Sequence, residues 1–310
     1  MTTKPLMAMA VVAAALVAGG ALCTPGLASA HEHAERHTHA FAPAFPGETG
    51  FRLIWYQDVV YDETSPDPIR TSLDMYVPDP QPEGAPIVVF MHGGGFFGSD
   101  KAWYKDLGDM PEWFTQEMGY IFVSTNYRFL PEARYPIKEQ DVANAIGWLV
   151  ENAASFGGDP ESIIVLGHAP GTYLAAIVAT DESLLENAGT SLGVLKGAIV
   201  VDDDYYDLPA RGGGSGFPED SEGLRRASPI YNVEPDKGIP PFLILHAGHH
   251  EYREQSEAMG AALEAAGVPA VVAEVQGKTH LTIIGDMGRP QDPVTLLVRH
   301  FLDSLELQDP

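Results

Sequence analysis

The sequence predicts an α/β domain: a mostly parallel central sheet with helices on both faces and a small cap segment. Three observations carry this. The apolar runs Pro86–Met91 and Ile163–Leu166 and the buried stretch Leu195–Val201 read as parallel strands covered on both faces. Helical patterns of 10 to 20 residues alternate with them, which is the signature of strands joined by crossover helices. The stretch Gly167-His168-Ala169-Pro170-Gly171 ends one apolar run and opens a small-residue helix, so it reads as a sharp strand-to-helix turn. The chain has 310 residues, 45% of them hydrophobic, enough for one large core.

Taken in order, residues 1–30 stand apart. Lys4 precedes an apolar, alanine-rich run from Leu6 to Leu22, and Ala28-Ser29-Ala30 supplies small residues for cleavage. The run is too short for a membrane span and polar sequence follows it, so it reads as a secretory signal peptide. Export to a periplasmic or extracellular space is expected, with no stable span in the mature chain. Cys23 falls within the signal, so the mature chain has no disulfide. Residues 31–50 read as a flexible tail and linker. His31, His33, His37 and His39 suit a transition metal, and a mobile polar terminus is the bland alternative.

A single domain is expected over residues 51–310. Phe51–Tyr61 and Arg70–Val77 read as leading strands, with Pro66-Asp67-Pro68 turning between them. After the strand Pro86–Met91 comes a helix over Trp103–Met118, interrupted at Pro111, and then a strand over Tyr120–Phe129. In the helix Ile137–Phe156, Val142, Ile146, Leu149 and Val150 share one face. The turn at Ala169 leads into a helix running to about Leu185. The strand Leu195–Val201 is followed by a cap over residues 205–235. Phe242–His246 and Ala270–Val275 are the last strands, Glu251–Ala266 is the helix between them, and Pro293–Leu305 closes the chain.

The net charge is −25 at pH 7, and loss of Lys4 makes the mature chain more acidic still. Such a protein does not hold nucleic acid or an anionic lipid surface by charge. The excess reads as a solvated surface, with cation recruitment as the alternative.

Three motifs stand in frame: His92-Gly93-Gly94-Gly95-Phe96-Phe97 after a strand, the turn centred on Ala169, and Gly277-Lys278-Thr279-His280 after the last strand. With Asn126-Tyr127-Arg128, Tyr135-Pro136, Phe156-Gly157-Gly158-Asp159-Pro160 and Ala227-Ser228-Pro229, the chain resembles the α/β-hydrolase superfamily. The nearest likeness is to its HGGG-type esterase and arylformamidase-like (BD-FAE-like) group, over roughly residues 51 to 305. The resemblance implies an oxyanion loop at His92, Gly93, Gly94 and Gly95, with donor N–H groups at Gly94 and Gly95. It also implies a catalytic base at His280.

The same resemblance exposes three departures. The nucleophile position is Ala169, which has no oxygen. Pro170 stands where a backbone N–H completes the oxyanion hole, and proline has none. Proline also pushes the residue before it away from helical angles, so a relaxed turn is expected at Ala169. After the strand Phe242–His246, His250 falls in register with the triad acid, and Glu251 substitutes only if the loop shifts by one residue. An imidazole at that position cannot supply fixed negative charge.

These departures support a pseudoenzyme that binds a small carboxylate or carbonyl ligand, or a protein, in the old acyl pocket, with Phe96, Phe97, Trp103 and Tyr104 as apolar walls. No cofactor is expected. A surviving ester or amide hydrolase with a displaced nucleophile is the second reading. A divalent-metal site drawing on His249, His250, Glu251 and His280, with Asp202 to Asp204 on another strand end, is the third.

Overall fold

The computed structural model describes residues 35–40 (backbone only), 52–103, 108–305 and 307. The proposed signal peptide lies outside the described residues, as do the histidine side chains of the tail. Nine strands form one sheet in the order β1-β2-β3-β5-β4-β6-β7-β8-β9. They are β1 (Glu35–Ala40), β2 (Arg52–Val60), β3 (Ser72–Pro78), β4 (Ala85–Met91), β5 (Ile121–Thr125), β6 (Gly158–His168), β7 (Leu195–Val201), β8 (Phe242–His246) and β9 (Ala270–Glu274). The pairs β1·β2, β2·β3 and β3·β5 are antiparallel, and every pair from β5·β4 onward is parallel. Strand β1 is a departure from expectation. Sequence reading gave all of residues 31–50 to a flexible tail, but Glu35–Ala40 pairs along β2 from Arg52 to Gln57. A histidine-rich run carries no apolar signal for an edge strand, whose partnership is made by backbone hydrogen bonds.

The central strands carry apolar residues on both faces because alternate residues enter two different cores. Ile87, Val89 and Met91 of β4 pack into one, and Val88 and Phe90 into the other. The first core lies under α1 (Ile137–Asn152), α2 (Pro170–Thr180) and α3 (His250–Ala265), through Val142, Ile146, Leu149, Leu174, Ile177, Met259 and Leu263. The second lies under Met110, Trp113 and Phe114 on one side and α4 (Pro293–Ser304) on the other, through Val294, Val298 and Phe301. Each fully buried side chain of this kind contributes about 1.5–3 kcal/mol relative to exposure.

One helix is shorter than the sequence suggests and another is irregular. Among the described residues of Trp103–Met118, a helix opens at Met110 and Trp113–Glu117 is a π-helical turn. Helix α2 stops at Thr180, and Asp181 caps a new helix by accepting from the Ser183 N–H. The cap region contains the short helices Leu208–Arg211 and Ser221–Arg226 and the 3-10 turn Pro229–Asn232. Among the described residues no helix is long and apolar enough to cross a membrane.

Sheet register sets up the site. Met91 pairs with Gly167, and His168 with Val201. The residues that follow β4, β6 and β7, namely His92, Ala169 and Asp202, therefore emerge side by side at the carboxyl edge. That edge is where parallel sheets gather ligands.

Candidate active site

The turn at Ala169 has not relaxed. Its φ is 51° and ψ −131°, a conformation that costs a residue with a Cβ about 1–3 kcal/mol. The expectation of relaxation fails for a steric reason. Proline disfavours helical angles in the residue before it, and a ψ of −131° already avoids them. Pro170 then sits as the first residue of α2, where a missing N–H is tolerated.

Surrounding contacts hold the strain in place. The Ala169 N–H donates to Val201 O at 3.1 Å, and the Thr172 N–H donates to Ala169 O at 2.8 Å. A Cβ on Gly171 would stand 2.1 Å from Met91 O, so only glycine lets α2 start so close to β4. The Thr172 hydroxyl is buried, accepts from the Val201 N–H at 2.9 Å and lies 2.6 Å from Val201 O. It is engaged with β7 and takes no part in the apex.

The oxyanion loop keeps its shape. Gly94 has φ 109°, and a Cβ there would lie 1.9 Å from Gly98 O. The Gly94 carbonyl accepts from the Phe97 N–H at 3.2 Å, whereas the N–H groups of Gly94 and Gly95 donate to no partner among the described residues. His92 is buried beneath the loop rather than in it. Its Nδ1 donates to Gly93 O at 2.7 Å, its ring stacks on Tyr127 with centroids 4.7 Å apart, and burial pulls its pKa down to about 4.

The base has a carboxylate after all. His280 Nδ1–H donates to Asp202 Oδ2 at 2.7 Å, leaving Nε2 with the lone pair. Asp202 is fully buried, and its Oδ1 accepts from the Ala247 N–H at 2.7 Å. Burial alone would raise its pKa, but the His280 and Ala247 hydrogen bonds outweigh that and hold the carboxyl below its usual range. Its φ of 61° is a second strained position in the site.

The acid expected at His250 is therefore corrected to Asp202. His250 starts α3 on the surface, its Nδ1 3.4 Å from Glu254 Oε2, and Glu251 beside it is exposed. Neither is a hydrogen-bond partner of His280. The strand end at Asp202-Asp203-Asp204 was visible as a carboxylate run after a buried strand, but sequence reading considered it only as a metal ligand source. Strand adjacency decides the matter: β7 neighbours β6, so its end lies beside the apex.

A cavity of ≈ 430 Å³ opens over the turn. Gly93, Gly94, Gly95, Ala169 and Pro170 line one side, and His168, His280, Leu281 and Tyr252 another. Trp103, Tyr205, Arg211, Asp203 and Asp204 complete the wall. No serine, threonine or cysteine side chain is among these lining residues. Of the apolar walls expected from sequence, Trp103 lines the cavity. Phe96 is instead buried against Tyr173 and Phe217, Phe97 is exposed outside the cavity, and Tyr104 lies outside the described residues.

Two buried polar atoms in this wall have no partner among the described residues. His168 Nε2–H donates to His280 O at 2.8 Å, so Nδ1 is a bare acceptor, and burial lowers the pKa of the ring to about 4. Asp203 accepts the Asp204 N–H on Oδ1 at 2.9 Å while Oδ2 is unpaired, and burial pushes its pKa well up. Arg211 ties the wall together, with Nε 2.8 Å from Asp204 Oδ1 and its guanidinium 3.8 Å over the Tyr205 ring. Among the described residues, no set of three or more His, Cys, Asp or Glu side chains converges as metal ligands. His249 instead packs at a tilt against Tyr252, with ring centroids 5.5 Å apart.

A parallel sheet with a strained strand-to-helix turn, a glycine loop and an Asp–His pair at its carboxyl edge has the architecture of the α/β-hydrolase fold. The chain is similar to carboxylesterase-like proteins of that fold. The BD-FAE family model matches residues 73–201, which include the oxyanion loop and the turn. Similar proteins include a probable isoprenylcysteine alpha-carbonyl methylesterase of Arabidopsis thaliana, 27% identical over 233 residues, covering 68% of this chain and 54% of that one. The esterase LipQ of Mycobacterium tuberculosis is 31% identical over 214 residues, covering 60% and 48%. This chain thus spans about half the length of these relatives. Among solved structures, a truncated carbohydrate esterase from gut microbiota superposes with TM-score 0.63 at 21% identity, covering 79% of this chain and 95% of that one. A hyperthermophilic esterase from Pyrobaculum calidifontis superposes with TM-score 0.61 at 21% identity, covering 87% and 84%. At these identities the structures speak for the fold alone.

Proposed function

We propose that this is an exported carboxylesterase-like protein that has abandoned covalent serine chemistry and binds a small carbonyl or carboxylate ligand over its oxyanion loop. The carrying observation is the methyl group of Ala169 at an apex that keeps its strained geometry, in a cavity whose lining has no serine, threonine or cysteine. The free N–H groups of Gly94 and Gly95 suit a ligand oxygen, and the bare Nδ1 of His168 and the Asp203 carboxyl suit its polar substituents. No cofactor is needed for this binding. The displaced-nucleophile alternative finds little support in that lining, since its hydroxyls are the phenols of Tyr205 and Tyr252. Export rests on the sequence of residues 1–30.

The test pairs binding with covalent labelling. Butyrate titrated into the purified full chain is expected to perturb the backbone N–H resonances of Gly94 and Gly95. A fluorophosphonate probe, which reacts with activated serines, is expected to leave the intact mass unchanged. Stoichiometric labelling by the probe would refute the proposal.

A further inference from the structure

We infer that the Asp202–His280 pair makes this pocket a one-step hydrolase for aryl esters of short acids, with water rather than a side chain as the nucleophile. The inference rests on the binding reading above and adds a reaction to it. A site that only held a ligand would have no use for a histidine held by a buried carboxylate. Here Nδ1 of His280 is fixed by Asp202 at 2.7 Å, while its side chain remains 35% exposed on the cavity side. Nε2 has no hydrogen-bond partner among the described residues. His168 also anchors the backbone, taking His280 O at 2.8 Å with the two rings 4.7 Å apart. The strained φ values of Ala169 and Asp202 are both retained. Strain of this sort persists where the surroundings over-determine it, and it points to a working geometry.

The balanced step follows from these atoms. Water gives a proton to His280 Nε2 as its oxygen bonds to the ester carbonyl carbon, and the C=O π pair moves onto oxygen. That oxyanion is held by the N–H groups of Gly94 and Gly95. The buried Asp202 carboxylate stabilises the imidazolium. Collapse restores the C=O, breaks the bond to the aryl oxygen, and the departing phenolate takes the proton from Nε2. Ester and water become acid and phenol, and nothing stays attached to the chain. An aryl leaving group fits because Pro170 removes one oxyanion donor, so the alcohol must depart readily, and because Trp103, Tyr205 and Tyr252 give it aromatic walls.

The test uses the full chain and p-nitrophenyl acetate. His280→Gln is expected to lower kcat by about 10²–10⁴-fold, the usual contribution of a general base. Added imidazole is expected to restore part of the loss in that variant above the rate of imidazole acting on the ester without protein, a result that misfolding cannot produce. Asp202 is a positioning residue, so Asp202→Asn is expected to lower kcat with KM held. Equal rates in His280→Gln and the unaltered chain, or a loss that imidazole does not restore, would overturn the inference and leave the binding reading standing. An acetyl adduct on the intact protein during turnover would overturn both.

Discussion

Restoring covalent chemistry to this site should take two substitutions. Ala169→Ser places a hydroxyl at an apex with φ 51° and ψ −131°, and the Asp202–His280 hydrogen bond of 2.7 Å is already in place. The single variant still lacks the oxyanion donor that Pro170 deletes. Adding Pro170→Ala returns one backbone N–H at the first position of α2, and one such donor is worth about 2.7–4 kcal/mol, or roughly 10²–10³ in kcat. The double variant is therefore expected to exceed the single by that factor in steady-state hydrolysis of p-nitrophenyl butyrate, with a burst from the acyl-enzyme. Adding His250→Asp to the double should leave kcat unchanged, because His250 is on the surface beside Glu254 and is not a partner of His280. Equal activity in single and double variants would show that Pro170 costs nothing. A requirement for His250→Asp would show that Asp202 does not act as the acid.

Three further outcomes are expected. Thr172→Val keeps the volume but leaves the buried Val201 N–H without its acceptor at 2.9 Å, so the urea midpoint should fall by the equivalent of about 1–3 kcal/mol with the m-value unchanged. Lys138 is fully buried, 2.8 Å from Glu139 Oε1 but not aligned for a hydrogen bond, and its ammonium lies 4.9 Å and 4.7 Å from the ring centroids of Phe96 and Phe217. Lys138→Met should cost about 3–5 kcal/mol by stranding Glu139, and Lys138→Met with Glu139→Gln should cost less, both read as Tm. For His168 the folded pKa of about 4 lies below the ordinary value of 6.5, so protons favour the unfolded chain. Its stabilisation is present above about 6.5 and is lost as pH falls toward about 4, at roughly 1.4 kcal/mol per pH unit. Urea titrations of His168→Gln across that window should show a flatter pH slope than the unaltered chain, and an identical slope would refute the assignment.

The fold was legible because its signals are local. β4 is apolar at every position and β6 and β7 carry the apolar runs Ile163–Leu166 and Ala198–Val201, and such runs have few other destinations than a doubly covered parallel sheet. Gly167, Gly171 and Gly94 were legible because only glycine tolerates their close backbone contacts. The Asp202–His280 pair was not legible, since its members are 78 positions apart in the chain. Register counting after β8 led to His250, whereas the acid comes from the end of β7. Phe96 was misjudged for a related reason: adjacency to the glycines suggested a pocket wall, but a φ of 66° turns it into the core.

By itself the sequence determined that the apex has no hydroxyl and that the next residue has no N–H, because composition at a position needs no geometry to be read. Tertiary structure alone decided that the turn keeps its strain and that the base keeps its carboxylate. Both depend on segments far apart in the chain: β6 and β7 lie side by side at the turn, and the loop after β9 brings His280 to the end of β7. A linear sequence records which residues are available, and the sheet order selects which of them meet.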